Sequence, residues 1–364
     1  MKRWKVGVVG AGHLGRIHAR LLAAMDDVEL VGVVDPVAEA RLALADSVKT
    51  KAFADHRELV GLADAAVVAA PTSLHRDVAL DLLAGGLHLM VEKPLASNAS
   101  QARAMVASAK NHRRVLQVGH IEQFNPGLEA VRPHVKNPSF LEATRTSGYA
   151  FRCTDVGVVL DLMIHDLDIV LSLAGSEVVG VESWGLIVCG PHEDVARASL
   201  RFANGSVAHL SASRASPEVV RSMQIYSSEC FATIDFGARN AKLVRPCADL
   251  AAGTLDLVTI PLAEKQRLRD NFFREVAPVE ELRPAETNPL VNELRDFITS
   301  LDGSHAPRVS GEQGLKAQEI AERILQAMHF DSWRSDLRPV APGGHALPAP
   351  HFTRAKAPAK RDAA

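Results

Sequence analysis

Four groups of residues carry the atoms that could do chemistry on a bound small molecule. The first is Gly10-Ala11-Gly12-His13-Leu14-Gly15 with Asp35 further on. Glycines let backbone N–H groups close on a phosphate, and a carboxylate can accept the hydroxyls of a ribose. The second is Pro71-Thr72 with His75, and the third is Glu92-Lys93-Pro94. A lysine at a strand end is commonly solvated, but just outside a sheet it can also donate to a substrate oxygen, and Glu92 beside it is a candidate ion-pair partner. The fourth is Asp161, His165 and Asp168. An Asp four residues before a His can hold the imidazole by a hydrogen bond and raise its basicity; an ordinary half-exposed Asp/His pair has the same spacing.

These groups need elements to position them. Val6, Val8 and Val9 form an apolar β run that ends in the glycine turn, and Leu14, Ile17, Leu21, Leu22 and Met25 follow at helical spacing. A second apolar run from Leu30 to Val34 ends in Asp35. Strand, glycine turn, helix, strand and acid together form the dinucleotide-binding fingerprint. Gly10 allows the tight turn, Gly12 the approach of a pyrophosphate, and Gly15 close packing of helix on strand. Asp35 follows Gly15 by 20 residues and would repel a 2′-phosphate, so NAD is favoured over NADP. Strands then alternate with helices, giving Ala65–Ala70, His88–Val91 and Val115–Gly119 as further strands. Residues 1–121 are thus expected to form one α/β Rossmann domain with a doubly wound parallel sheet. The second and third groups fall at carboxyl ends of its strands, where open α/β sheets bind ligands.

From residue 122 the pattern changes. A long helix is expected over 158–174, with Leu160, Ile164, Leu167 and Leu171 on one apolar stripe. Asp161, His165 and Asp168 repeat that spacing one residue later, about 100° around the helix. A run of β segments follows, with Asn204-Gly205 as a hairpin turn, and implies an antiparallel sheet. Two helices come next, the second opened by a Ser310/Gln313 capping box. Residues 122–335 are read as an α+β domain for substrate and oligomer contacts, and 336–364, rich in Pro, Ala and basic residues, as a disordered tail.

Composition bounds the partners. The 364 residues are 47% hydrophobic and carry a net charge of −2, so no basic surface announces nucleic acid. The four cysteines are scattered and none has zinc spacing, which favours reduced thiols, a cytoplasmic location and no metal centre. No apolar run approaches the roughly 18 residues needed to span a bilayer, and the basic N-terminus leads into a first strand rather than a signal peptide.

Over residues 1–330 the chain resembles the Gfo/Idh/MocA family of NAD(P)-dependent sugar oxidoreductases. The matching motifs are the glycine turn, Pro71-Thr72-Ser73-Leu74-His75, Glu92-Lys93-Pro94 and Asp161-Leu162-Met163-Ile164-His165. The resemblance implies a Rossmann domain joined to a domain with a large open sheet, whose exposed face commonly makes homo-oligomer contacts. It also implies a site at the domain junction. Lys93, Asp161 and His165 match the family's catalytic positions. His165 would then be general base on a sugar hydroxyl, oriented and charged by Asp161, while Lys93 binds the same oxygen; the two could exchange the base role. The stretches 118–126 and 154–168 resemble the branch that oxidises the 3-hydroxyl of UDP-N-acetylglucosamine to a ketone, which an aminotransferase then converts to an amine for diamino-sugar lipid A. That resemblance makes His120 and Asn125 candidates at the substrate's rim and Arg145 and Arg152 candidates for its diphosphate. Gln123 stands where an arginine is common in that branch. An inositol or other sugar dehydrogenase is the nearest alternative. A non-catalytic NAD and sugar sensor is a third, but such a protein need not retain the lysine, acid and histidine.

Overall fold

The computed structural model describes residues 3–150, 156–256 and 258–333. Arg152 and the tail expected from 336 lie outside the described residues. The first domain runs β1 (Trp4–Val9), α1 (His13–Ala23), β2 (Val28–Val34), α2 (Ala38–Val48), β3 (Lys51–Phe53), β4 (Ala65–Val68), α3 (Thr72–Ala84), β5 (His88–Glu92), α4 (Ala99–Asn111) and β6 (Leu116–Gly119). All its strands are parallel, in the order β3-β2-β1-β4-β5-β6. β4 and β5 are buried along their whole length, as a sheet covered on both faces requires. The order reverses between β1 and β4, the point at which open α/β sheets form a ligand-binding cleft at their carboxyl ends.

The second domain opens with α5 (Pro126–Val131) and β7 (Phe140–Thr146). A wide π-turn (Val159–Met163) then runs into α6 (Ile164–Ala174). Strands β8 (Val178–Ile187), β9 (Val195–Phe202), β10 (Val207–Ser213), β11 (Val220–Tyr226), β12 (Phe231–Asp235) and β13 (Asn240–Val244) follow. After α7 (Ala248–Ala251) and α8 (Leu262–Asp270) come β14 (Val279–Leu282), α9 (Pro289–Ser300), α10 (Gly311–Ala327) and β15 (Met328–Ser332). The nine strands form one sheet, β14-β13-β12-β11-β7-β10-β9-β8-β15. It is mixed: β7 with β10 and β8 with β15 are parallel, and the other pairs antiparallel. The α+β expectation therefore holds, with two parallel pairs added by crossovers through helices. Alternation buries one face, as in β9, where Ala196, Ala198, Leu200 and Phe202 point into a core shared with α6 while Arg197, Ser199 and Arg201 point away.

The closing helices tie the two units together. α9 was assigned from sequence to the second domain, but its Leu294, Phe297 and Ile298 lie in the core of the first, with Val6, Ala19 and Leu22. Its amphipathic stripe fits the apolar surface beside α1, which long-range packing chose and local periodicity could not. α10 starts from the expected Ser310/Gln313 capping box and packs against both α4 and α6. Among the described residues no helix is long and apolar enough to cross a membrane.

Candidate active site

The glycine turn has the form a dinucleotide needs. Gly10 has φ +104°, and a Cβ there would lie 2.5 Å from the Ala69 carbonyl oxygen. A Cβ at Gly15 would lie 1.8 Å from the Gly10 oxygen, so helix and turn touch. At Gly12 no atom lies within 4 Å of that position, so this side of the turn is open. α1 begins with no side-chain cap, which leaves its first N–H groups and positive end to a ligand's phosphates. His13 and Leu14 are exposed on that first turn. Asp35 is fixed by two backbone donors, Ala11 N to Oδ2 and Val37 N to Oδ1, both at 2.8 Å. Pro71 and Thr72 start α3, also uncapped, beside this turn. These residues fit NAD.

Across the cleft, Lys93 follows β5 and reaches the π-turn of the other domain. Its Nζ donates to the Asp161 carbonyl oxygen at 2.8 Å and to Asp161 Oδ1 at 3.0 Å. Both side chains keep about a fifth of their surface exposed, 18% and 20%. The pair therefore joins the two domains and still meets the cleft. An ammonium held by a carboxylate and a carbonyl is a donor, with a third N–H free for a ligand oxygen.

This geometry corrects the expected Asp161–His165 bond. The helix does not start as a regular α-helix, and the wide turn aims Asp161 at Lys93. His165 Nδ1 is buried with no hydrogen-bond partner among the described residues. Burial, then the positive charges of Lys93 and Arg145, push its pKa well below the ordinary value, so it stands as a neutral imidazole. His120, after β6, meets the His165 ring edge-to-face at 6.2 Å between centroids. Asp168 does not pair with His165 either: it accepts from Gln123 Nε2 at 2.5 Å.

Other expected ligand contacts prove structural. Arg145 is buried, donating to Asp166 through Nε (3.0 Å) and Nη2 (2.7 Å) and to Glu122 through Nη1 (2.8 Å), so it is not free for a diphosphate. Asn125 caps α5 through the Gly127 N–H and donates to Glu122 and the Phe236 carbonyl; it is buried, away from a substrate's rim. The His75 ring nitrogens lie 2.8 Å from the Ala70 oxygen and 3.1 Å from the Pro94 oxygen. It joins the loops after β4 and β5 from below instead of facing a cofactor. Glu92 pairs with His18 Nε2 at 2.6 Å, not with the Lys93 ammonium. Gln123 is buried, between Asp168 and Arg132, and so cannot by itself decide which sugar binds.

Two residues of interest were missed from sequence. His18 sits on the buried face of α1 with Gly15, Ala19 and Leu22, and a polar residue on an apolar face was the available signal. Arg221, on β11, is exposed and has no ion pair among the described residues, yet its charge is among those acting on His165. No local pattern marks it.

Residues 4–120 match the oxidoreductase family with an NAD-binding Rossmann fold, and residues 129–232 match the GFO/IDH/MocA C-terminal domain. A UDP-N-acetylglucosamine 3-dehydrogenase of Acidithiobacillus ferrooxidans is 37% identical over 237 residues, covering 65% of this chain and 75% of that protein. The chain belongs to the Gfo/Idh/MocA oxidoreductase family. Its cofactor is NAD, and it is a dehydrogenase of the sugar-oxidising kind. The solved structure of the A. ferrooxidans enzyme superposes with a TM-score of 0.79 at 30% identity, covering 90% of this chain and 98% of that one. An inositol 2-dehydrogenase of Rhizobium meliloti is 27% identical, covering 89% of this chain and 96% of that protein.

Proposed function

We propose that this chain oxidises a secondary hydroxyl of a nucleotide sugar, the 3-hydroxyl of UDP-N-acetylglucosamine, to a ketone. The observation that carries the reaction type is the Lys93–Asp161 pair at the mouth of the cleft, with the neutral ring of His165 four residues beyond Asp161. NAD, held by Gly10, Gly12, Gly15 and Asp35 and by the starts of α1 and α3, supplies the hydride acceptor. Lys93, held in place by Asp161, donates to the substrate oxygen and stabilises its developing negative charge. His165 takes the hydroxyl proton as general base; being neutral, it has a lone pair to accept it. Asp161 positions Lys93 rather than His165.

The 37% identity to a UDP-N-acetylglucosamine 3-dehydrogenase favours the nucleotide sugar over inositol. With Arg145 committed to Asp166, Arg221 is, among the described residues whose charge acts on His165, a guanidinium without an ion pair and so a candidate for a diphosphate. Assembly through the exposed sheet face and a downstream aminotransferase belong to the same reading.

The test is NADH absorbance with purified protein, NAD and UDP-N-acetylglucosamine, with an aminotransferase and glutamate present to remove the ketone. NADH formed with the UDP-sugar, and not with free N-acetylglucosamine or inositol, supports it. NADH formed with inositol instead assigns the inositol chemistry. In the Arg221→Met variant KM for the UDP-sugar rises about 10-fold, the scale of one lost charge-assisted contact, and an unchanged KM removes Arg221 from the site.

A further inference from the structure

His120 is a buried histidine that this reaction leaves unused. Its ring is 1% exposed and neither nitrogen has a hydrogen-bond partner among the described residues, nor has the buried Nδ1 of the neighbouring His165. A buried polar atom left unpaired costs about 1–3 kcal/mol. Three of them in two touching rings therefore mark a place with a task. Burial pushes the His120 pKa down, and the first charge acting against that is Asp168, with Lys93 and Glu92 the others that face it. Asp168 lies almost one turn beyond His165 on α6 and also lines a cavity of about 570 Å³. Ser172, Gln313, Lys316 and Arg323 form other parts of its wall, and Lys316 is exposed to solvent.

We infer that His120 and Asp168 form a proton exit from His165 to this second cavity, whose walls include none of the residues placed at the NAD site. The inference rests on the dehydrogenase reading. A sugar and NAD in the cleft would cover His165 from that side, while the oxidation releases one proton per turnover. The substrate O–H bond breaks and its proton bonds to a His165 ring nitrogen. The buried Nδ1–H of the resulting imidazolium then gives up its proton to His120, across one water or a small ring rotation, because rings 6.2 Å apart do not bond directly. His120 releases a proton from its other nitrogen to the Asp168 carboxylate across a second water, since no hydrogen bond joins the two, and Asp168 loses it to water in the cavity. Each histidine ends neutral, one proton has left and no electrons have moved. Burial lowers the pKa of both rings, furthest at His165, and raises that of Asp168, so the shifts favour the outward passage. His120 and Asp168 are positioning and relay groups, since neither touches the reacting atoms.

The experiment uses full-length protein with ¹⁵N-labelled histidine in its complex with NADH and UDP-N-acetylglucosamine, which covers His165 and cannot react because both partners are already reduced, and measures exchange of the His120 and His165 ring N–H protons with water. In Asp168→Asn, which keeps the acceptor for Gln123, exchange slows about 10-fold or more, since the remaining route is local opening of the fold. In His120→Asn the His165 ring shows the same slowing, which covers the case of one variant failing to fold. Asp168→Asn also turns over more slowly, with proton release lagging NADH formation, and millimolar imidazole small enough to enter the cavity restores it. Exchange at the wild-type rate in both variants overturns the route. Because the exchange measurement needs binding but no turnover, a protein that forms this complex yet makes no NADH with any sugar counts against the dehydrogenase reading alone.

Discussion

Glu193 gives the sharpest quantitative test of how the catalytic turn is held. Its Oε1 accepts the Val159 N–H at 3.0 Å and its backbone oxygen accepts the Val158 N–H at 3.0 Å, so it clamps the start of the π-turn that carries Asp161. Gly157 makes room for it, since a Cβ there would lie 2.0 Å from Glu193 Oε1. Burial pushes its carboxyl from 4.5 up to about 7, against the pull of Arg214 and with the push of Asp194. The difference of about 2.5 units is worth about 3 kcal/mol at 1.36 kcal/mol per unit. The folded pKa is raised, so the folded state holds the proton more tightly than the unfolded chain. The contribution to stability is complete below 4.5, is lost as pH rises through 7, and is gone above that.

Glu193→Gln keeps an oxygen for Val159 and removes the charge. Urea unfolding of both proteins between pH 5 and pH 8 gives a difference curve from which the other buried carboxyls, Asp166, Asp168 and Glu293, cancel as far as they do not couple to this site. Wild type minus variant falls by about 2–3 kcal/mol across that range, and at pH 8 the variant is the more stable. A flat difference curve refutes the reasoning, because it means that Glu193 ionises as a solvated carboxyl does.

Other substitutions separate holding from acting. Arg145→Met leaves the buried Asp166 carboxylate unpaired and lowers stability by about 3–5 kcal/mol in urea unfolding; a stable variant with a raised KM for the UDP-sugar alone would restore the discarded diphosphate role. His165→Asn cuts turnover by about 100-fold or more with NAD affinity intact, while wild-type kcat/KM shows no acid limb at or above 6.5, because the depressed pKa keeps His165 neutral there. A measured acid limb near 6.5 that disappears in the variant contradicts the neutral ring. Gly15→Ala drives a methyl into the Gly10 carbonyl and shifts α1; overpacking of this kind costs about 1–3 kcal/mol, and the NAD-induced rise in Tm shrinks accordingly.

The sequence made legible what neighbours in the chain decide. The glycine turn, the β1-α1-β2 unit and the Ser310 cap depend on local spacing, and each appears as read. What it left open are pairings across long separations. Lys93 and Asp161 are 68 residues apart, and spacing within one helix pointed Asp161 to His165 instead. α9 looked like a second-domain helix because nothing in its own stripe says which core it will enter.

Two of the errors had signals that were there to use. On β7, Leu141, Ala143 and Arg145 share the inward parity, and a guanidinium on an inward face must be paired within the fold before any ligand arrives. Asn125 precedes Pro126, and Asn before a proline at the first helical position is a cap signature that already employs the side chain. Both residues were read as substrate ligands because their groups can bind a sugar or a phosphate. The same test applied across the site divides it cleanly: Arg145, Asn125, His75 and Glu92 have their polar atoms committed to the protein. Lys93 keeps an N–H for the cleft, Arg221 has no ion pair among the described residues, and His165 and His120 keep uncommitted ring nitrogens. Capacity to bind is common to both sets; what distinguishes the candidates for action is a polar atom that folding has left unused.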